Sequence, residues 1–372
     1  MAKQKVDAPQ VSHSFRYRPT PGELRLLLNG PGVLVGAGQM MTASLQLQSL
    51  DLSEANLDFA NLTSANLAGA DLHRARLSNA KLDEADLREA HLPRVHANNA
   101  SFKKANLTHA VLDDALFTSS DLSGATLRAA SLRSINLEGT SLRSAVLEGT
   151  DLTNANLTNA DLTGANLNNA ILTGANLIGA NLTGSNLNGV NLQGQDLSAR
   201  DLSGLDLTGA NLTGTNLTGA NLTGANLTGT NLNDSNLTGA RLSLAVLAKA
   251  NLAGQDLSAS DLSGLDLTGA NLSGANLTGA NLTGANLTSA NLTGANLTGA
   301  NFTSANLTGA NLIRAVLARA NFAKNRSLEL CLFLSLPATV GIFLASEQII
   351  SALPASSFKS TIWIHPNSFL IN

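Results

Sequence analysis

The sequence predicts an all-β solenoid, on three observations. A leucine, or rarely a phenylalanine, returns every fifth residue from Leu52 to Phe322, which makes 55 central positions without an insertion or deletion. Only Ala97 among them is neither Leu nor Phe. A second register two residues earlier is mostly alanine, as at Ala55, Ala60, Ala65, Ala70, Ala210, Ala220, Ala270 and Ala280.

A period of five excludes the simpler readings. On an α-helix, five residues advance the chain by about 500°, so successive leucines fall about 140° apart and no buried stripe results. Asn, Thr and Gly at the remaining positions are also poor helix formers. A straight strand fails because five is odd, and strict alternation would send successive leucines to opposite faces. Both conflicts vanish if the chain turns a corner once per unit. The alanine and leucine positions then both point inward, and the residues flanking each leucine point outward. The last position of the unit, often glycine as at Gly164, Gly214 and Gly284, supplies the corner. The expected core therefore includes Leu52, Leu57, Leu62, Leu212, Leu222 and Leu282, with Ala210, Ala220 and Ala280.

Units such as Ala210-Asn211-Leu212-Thr213-Gly214 and Ala280-Asn281-Leu282-Thr283-Gly284 resemble the pentapeptide-repeat family, whose signature is A-(N/D)-L-x-x. The resemblance covers about three quarters of the chain. It implies a right-handed quadrilateral β-helix, in which four units close a 20-residue coil and coils stack about 4.8 Å apart. Fifty-five units imply about 14 coils.

Three segments follow in chain order: 1–44, the repeat array 45–325, and 326–372. In the first, Thr20-Pro21-Gly22-Glu23 reads as a helix start, with Leu24, Leu27 and Leu28 on one face and Asn29-Gly30 as a stop. This short helix is expected to cap the array. Within the array, Asp51 to about Thr150 carries mixed outward charges such as Asp83, Glu84, Asp86, Arg88 and Glu89, whereas Asp151 to Ala310 is nearly all Asn, Thr, Ser or Gly outside. The pattern is weakest between Ala90 and Lys104, where Ala97 replaces a central leucine, so a bend or soft spot is expected there.

The stretch Gln195 to Leu207 recurs almost unchanged 60 residues later at Gln255 to Leu267, which reads as a segmental duplication rather than a designed site. Gln195, Arg200 and Gln255 fall at inward positions. A buried unpaired Arg is costly, so Arg200 is expected to reach out at a corner toward Asp201. After Phe322 the repeat stops, and Leu330 to Ala345 is a 16-residue apolar run containing Pro337 and Gly341. Membrane helices need about 20 apolar residues. The run reads as an apolar, helical segment that covers the last coil or mediates a homodimer. A membrane anchor is the alternative.

Composition excludes several classes. The net charge is −3 and no basic stripe appears, which argues against direct nucleic-acid binding. The single Cys331 excludes an internal disulfide framework and a cysteine metal site. The polar start Met1-Ala2-Lys3-Gln4-Lys5 has no prompt apolar core, so no secretory signal is read and a cytoplasmic location is expected, with membrane association through 330–345 as the alternative. Asn-Leu-Thr triplets such as Asn211-Leu212-Thr213 then read as by-products of the repeat rather than glycosylation acceptors.

On a four-sided coil, residues 20 apart share a face. His91 and His96 are five apart and occupy different faces, and no nucleophile, phosphate-loop or metal motif is present. No cofactor and no catalytic residue are expected. Asn191, Asn211, Asn231, Asn251, Asn271, Asn291 and Asn311 share a face and are expected to reinforce the stack as amide ladders.

The functional expectation is a non-enzymatic protein-interaction rod with an unidentified protein partner. The basic patch His91, Arg94, His96, Lys103 and Lys104 is the candidate contact, set against its reading as a solvated face. One alternative is a membrane-tethered scaffold. The family suggests another, since some members mimic duplex DNA and bind DNA gyrase. Mimicry needs dense negative charge, and Asp121, Asp161, Asp201 and Asp261 share a face but lie two or three coils apart, about 10–14 Å. Duplex DNA carries one charge per about 1.7 Å of axis.

Overall fold

The computed structural model describes residues 18–20 and 45–324. The expected helix after Thr20 and the apolar run 330–345 lie outside the described residues. No α-helix occurs among those described, and none of their elements is a helix long and apolar enough to cross a membrane. The chain divides into two units, Met1–Leu162 with Ile178–Ala180, and Thr163–Leu177 with Asn181–Asn372.

Each five-residue unit repeats one conformation: a bridge residue, the central residue, a two-residue turn, then the inward residue. The inward N–H closes the turn on the central carbonyl, as in Ala65 to Leu62 at 3.0 Å and Ala285 to Leu282 at 3.1 Å. The third turn residue is left-handed in both units, with φ of 60° at Glu84 and 66° at Gly284. That geometry is the type II turn, which explains the preference for glycine at this position.

Parallel bridges always pair residues 20 apart, so each coil contains 20 residues and four sides. The first side runs through Asn61↔Lys81 and Asp201↔Asn221, and the second through Asn66↔Asp86 and Asn186↔Asp206. The third runs through Asp71↔His91 and Asn191↔Asn211, and the fourth through Arg76↔His96 and Asp196↔Asn216. A closed side carries three backbone hydrogen bonds between coils. On the fourth side these are Leu217 N–H to the Asn236 carbonyl at 2.8 Å, Gly219 N–H to Thr238 at 2.9 Å and Asn236 N–H to Thr215 at 2.9 Å. This accounting is what lets a chain rich in small polar residues bury its backbone.

The core is a set of side-chain columns. Leu52, Leu57, Leu62, Leu212, Leu222 and Leu282 are buried, with Ala210, Ala220 and Ala280 beside them. Polar residues at inward positions are buried too, and they reach back to a carbonyl 23 residues earlier. Thr140 Oγ1 donates to Phe117 O at 2.7 Å, Thr150 Oγ1 to Leu127 O at 2.8 Å and Gln195 Nε2 to Leu172 O at 2.6 Å.

The ladder is unbroken at the unit where the sequence suggested a bend. His96 bridges both Arg76 and Leu116, and Ala97 N–H donates to Leu116 O at 2.7 Å. Ala97 is fully buried, and the larger side chain of its column neighbour is positioned to take up the missing volume. Phe117 stands 20 residues on in the same column, and its ring lies 5.1 Å from that of Phe102. Arg200 is half-exposed at its corner but does not meet Asp201. No ion pair joins it to Asp201 among the described residues, its charge acts on Asp196, and its Nε is buried without a hydrogen-bond partner.

Candidate functional site

The outward positions carry whatever chemistry the array presents, and two devices organise them. The first is the Asn or Asp preceding each central residue. Its side-chain oxygen accepts the N–H two residues on, and the hydroxyl when that residue is Thr or Ser. Asn281 Oδ1 takes Thr283 N–H at 3.2 Å and Thr283 Oγ1 at 2.7 Å. Asp151 does the same for Thr153 at 3.0 Å and 2.5 Å. This Asx turn explains why Asn-Leu-Thr recurs. The amide that remains links coils: Asn211 Nδ2 donates to Asn191 Oδ1 at 3.1 Å, Asn271 to Asn251 at 2.9 Å and Asn291 to Asn271 at 3.2 Å, while Asn231 turns to Thr213 Oγ1 at 2.9 Å.

The second device is an ion-pair lattice in the first unit. Arg76 pairs with Asp58 at 2.5 Å, Arg128 with Glu148 at 2.7 Å, Arg133 with Asp151 at 3.4 Å and Arg143 with Asp161 at 2.8 Å. Each joins residues 18 or 20 apart, so the partners stand on adjacent coils.

The basic patch is spread over three sides. His91 and Arg94 are on the third side, His96 on the fourth, and Lys103 and Lys104 on the first. Four of the five face a carboxylate of a neighbouring coil: His91 with Asp71 at 3.3 Å, Arg94 with Asp114 at 3.5 Å, Lys103 with Asp121 at 3.2 Å and Lys104 with Glu84 at 3.9 Å. The structure therefore sets these residues beside carboxylates rather than beside one another. It also places His73 beside His91, with ring centroids 6.2 Å apart. Their spacing of 18 is the signal for such contacts, since the turn residue of one coil lies next to the bridge residue of the next. Among the described residues, no group of three His, Cys, Asp or Glu is arranged to hold a metal ion.

Several carboxylates are held below the ordinary value. At Asp86 the leading cause is a hydrogen bond from Arg88, which donates Nε at 2.8 Å. At Asp121, burial pushes the pKa up, but hydrogen bonds from Ser123 and Lys103 outweigh it. At Asp196, Asp201, Asp256 and Asp261 the leading cause is the serine two residues on, with further support from an Asn of the next coil. A depressed folded pKa stabilises the fold above the unfolded value of about 4 and loses that contribution as pH falls through the folded value. Stability in urea is therefore expected to be flat from pH 7 to 5 and to fall below about pH 4. The variant carrying Asn at 196, 201, 256 and 261 should show a shallower fall, because asparagine accepts the same bonds without titrating.

Comparison with known proteins places these features in a family. The family described as Pentapeptide repeats matches residues 46–79, 80–118, 120–159, 155–194, 191–229, 201–239, 225–264, 266–303 and 295–324. No curated protein sequence matches the chain. Among solved structures, HetL, a pentapeptide repeat protein involved in heterocyst differentiation regulation from the cyanobacterium Nostoc sp. strain PCC 7120, is 27% identical over 81% of this chain and 93% of its own, with a TM-score of 0.20. QnrB1, a plasmid-mediated fluoroquinolone resistance protein, is 15% identical over 56% of this chain and 90% of its own in one trypsin-treated form, with a TM-score of 0.32. Rfr23 from the cyanobacterium Cyanothece 51142 is 36% identical over 27% of this chain and 58% of its own, with a TM-score of 0.16. The repeat units, the 20-residue coil and the family match together establish that this chain belongs to the pentapeptide-repeat family.

Proposed function

We infer that the chain is a non-catalytic scaffold that binds a protein partner along the charged faces of its first unit. The observation that carries this reading is the ion-pair lattice from Asp58 to Asp161. Exposed pairs of this kind add little stability, about 0–1 kcal/mol each. The uncharged Asn and Thr outward positions of the second unit form a bridged ladder without them. Charges that the fold does not need, arranged as fixed alternating columns on flat sides, provide a pattern that a complementary partner can read. His91, Arg94, His96, Lys103 and Lys104 contribute to that pattern together with the acids they face.

Duplex mimicry is the less supported reading. The carboxylates of Asp121, Asp201 and Asp261 are engaged in turn and inter-coil hydrogen bonds, and Asp161 is paired with Arg143.

Exchanging partners within pairs tests the proposal. The variant Arg94→Asp, Asp114→Arg, Arg128→Glu, Glu148→Arg keeps the composition, the inter-coil attraction and every Asx turn while inverting the pattern. The expected result is an unchanged melting temperature with loss of the proteins captured by full-length wild-type chain. Capture of the same proteins by the exchanged variant would sink the proposal. Inhibition of DNA gyrase supercoiling that survives the exchange would favour duplex mimicry instead.

A further inference from the structure

The last coil among the described residues carries Asn306, Asn311, Val316 and Asn321 on its four sides, and after Phe322 the five-residue period stops. On the fourth side its backbone is fully joined to the coil before it. Leu297 N–H donates to Val316 O at 2.7 Å, Gly299 N–H to Ala318 O at 2.8 Å and Val316 N–H to Ala295 O at 2.8 Å. The other edge of the same side is open. Leu317 N–H, Arg319 N–H and the Ala315 carbonyl are the three groups that would join this side to a following coil, and none has a hydrogen-bond partner among the described residues.

The side chains are open at the same place. Among the described residues, Leu317 is the one central residue of the repeat that is not buried, whereas Leu312 and Phe322 of the same coil are 3% and 1% exposed. Ala315 is half-buried beside it, and Val316 is 50% exposed. An uncovered apolar slot flanked by unpaired N–H and C=O groups is what a sheet edge offers to an added strand.

Charge sets the kind of strand. Arg314, Arg319 and Lys324 are exposed at three successive corners of this coil, and they are the first charged residues after Asp266. None of the three makes an ion pair among the described residues. In the first unit, comparable cations find an acid on the coil that follows. Arg94, which holds the same corner of its coil as Arg314, faces Asp114 twenty residues on at 3.5 Å, and Arg128 faces Glu148 at 2.7 Å. On that template, the acids that complete Arg314 and Arg319 belong to the added strand.

We propose that the fourth side of this coil is a docking edge for an extended, acidic segment of a partner protein. The register of the ladder defines that segment. Its residue x donates N–H to Ala315 O and accepts Leu317 N–H, and residue x+2 accepts Arg319 N–H, as Val316 and Ala318 do for the coil before. Residue x+1 then lies over Leu317 and is apolar. Residues x−2 and x+3 fall at the corners of Arg314 and Arg319 and are Asp or Glu. The run Glu84-Ala85-Asp86-Leu87-Arg88-Glu89 has this pattern, with Asp86 as x. The edge is separate from the contact inferred for the first unit, and it stands whether or not that contact exists.

The probe is a fluorescent peptide with the sequence of residues 82–92, and its control carries Glu84→Lys and Glu89→Lys. Full-length protein should bind the probe saturably, read by fluorescence anisotropy, and the bound peptide should slow amide exchange at Leu317 and Arg319 by about tenfold or more. Arg314→Glu with Arg319→Glu alters two exposed side chains and should leave the melting temperature unchanged. That variant should bind the probe about tenfold or more weakly and take up the control peptide instead. No saturable binding up to about 1 mM probe, or equal binding by the parent and charge-reversed proteins, would overturn the proposal. Self-association of the parent protein in sedimentation, abolished by the same reversal, would assign the edge to a second copy of the chain and overturn it too.

Discussion

Phe117→Ala is expected to destabilise the first unit by about 3–5 kcal/mol, the range for deleting a buried aromatic. The upper part of that range applies because Phe117 is fully buried, packs its ring against Phe102 and faces only the small side chain of Ala97 in the preceding coil of its column. No relaxation can close the void. The backbone on either side is clamped by Ala97 N–H to Leu116 O at 2.7 Å and Phe117 N–H to Asn136 O at 2.8 Å. The converse change, Ala97→Leu, inserts side-chain volume where the Phe117 ring already lies and should cost about 1–3 kcal/mol. Ala97→Leu with Phe117→Leu restores the ordinary column, so the pair should cost less than the sum of its parts. Urea denaturation of the four proteins completes the cycle. Strict additivity would mean that the two positions do not share the space.

Leu282→Ala should cost nearly as much, toward the top of the about 2–5 kcal/mol found for buried leucines. Leu282 is fully buried between Leu262 and Phe302 of its column, and bonds on both sides hold the coils in place: Leu262 N–H to Asn281 O at 2.8 Å and Leu282 N–H to Asn301 O at 2.7 Å. Leu237→Ala is the informative comparison. It is the same chemical deletion at a leucine that is 6% exposed rather than fully buried, so its cost should fall nearer the bottom of the range. Each variant is read from the urea midpoint at constant slope. Equal costs at 237 and 282 would indicate that the core is as tightly packed at Leu237 as at Leu282.

Why sequence reasoning expects a bend or soft spot at Ala97, where the ladder is unbroken, follows from these positions. Ala97 looks like a defect along the chain because a large residue is replaced by a small one. The compensation comes from Phe117, which is remote along the chain and adjacent in the column. Gln195 and Gln255 look like polar residues misplaced at inward positions by the same standard. Only the structure shows their amides donating to Leu172 O and Leu232 O of the preceding coil. The five residues His91, Arg94, His96, Lys103 and Lys104 are spread over three sides for a related reason. Nearness in sequence places residues on different sides, whereas separations of 18 and 20 place opposite charges side by side.

What the sequence determined by itself is everything local to one unit: the corner every five residues, the inward alanine and leucine, the Asx turn of Asn-Leu-Thr. These depend on turn geometry and on burial of one side-chain register, and both are complete within a few residues. What only the tertiary structure decided is what passes between coils: which charge meets which, and that Phe117 stands in the same column as Ala97. The physical reason is that stacking energy is shared between residues 20 apart, so the outcome at any side depends on the combined size of two residues that the chain never brings together until it has turned four corners.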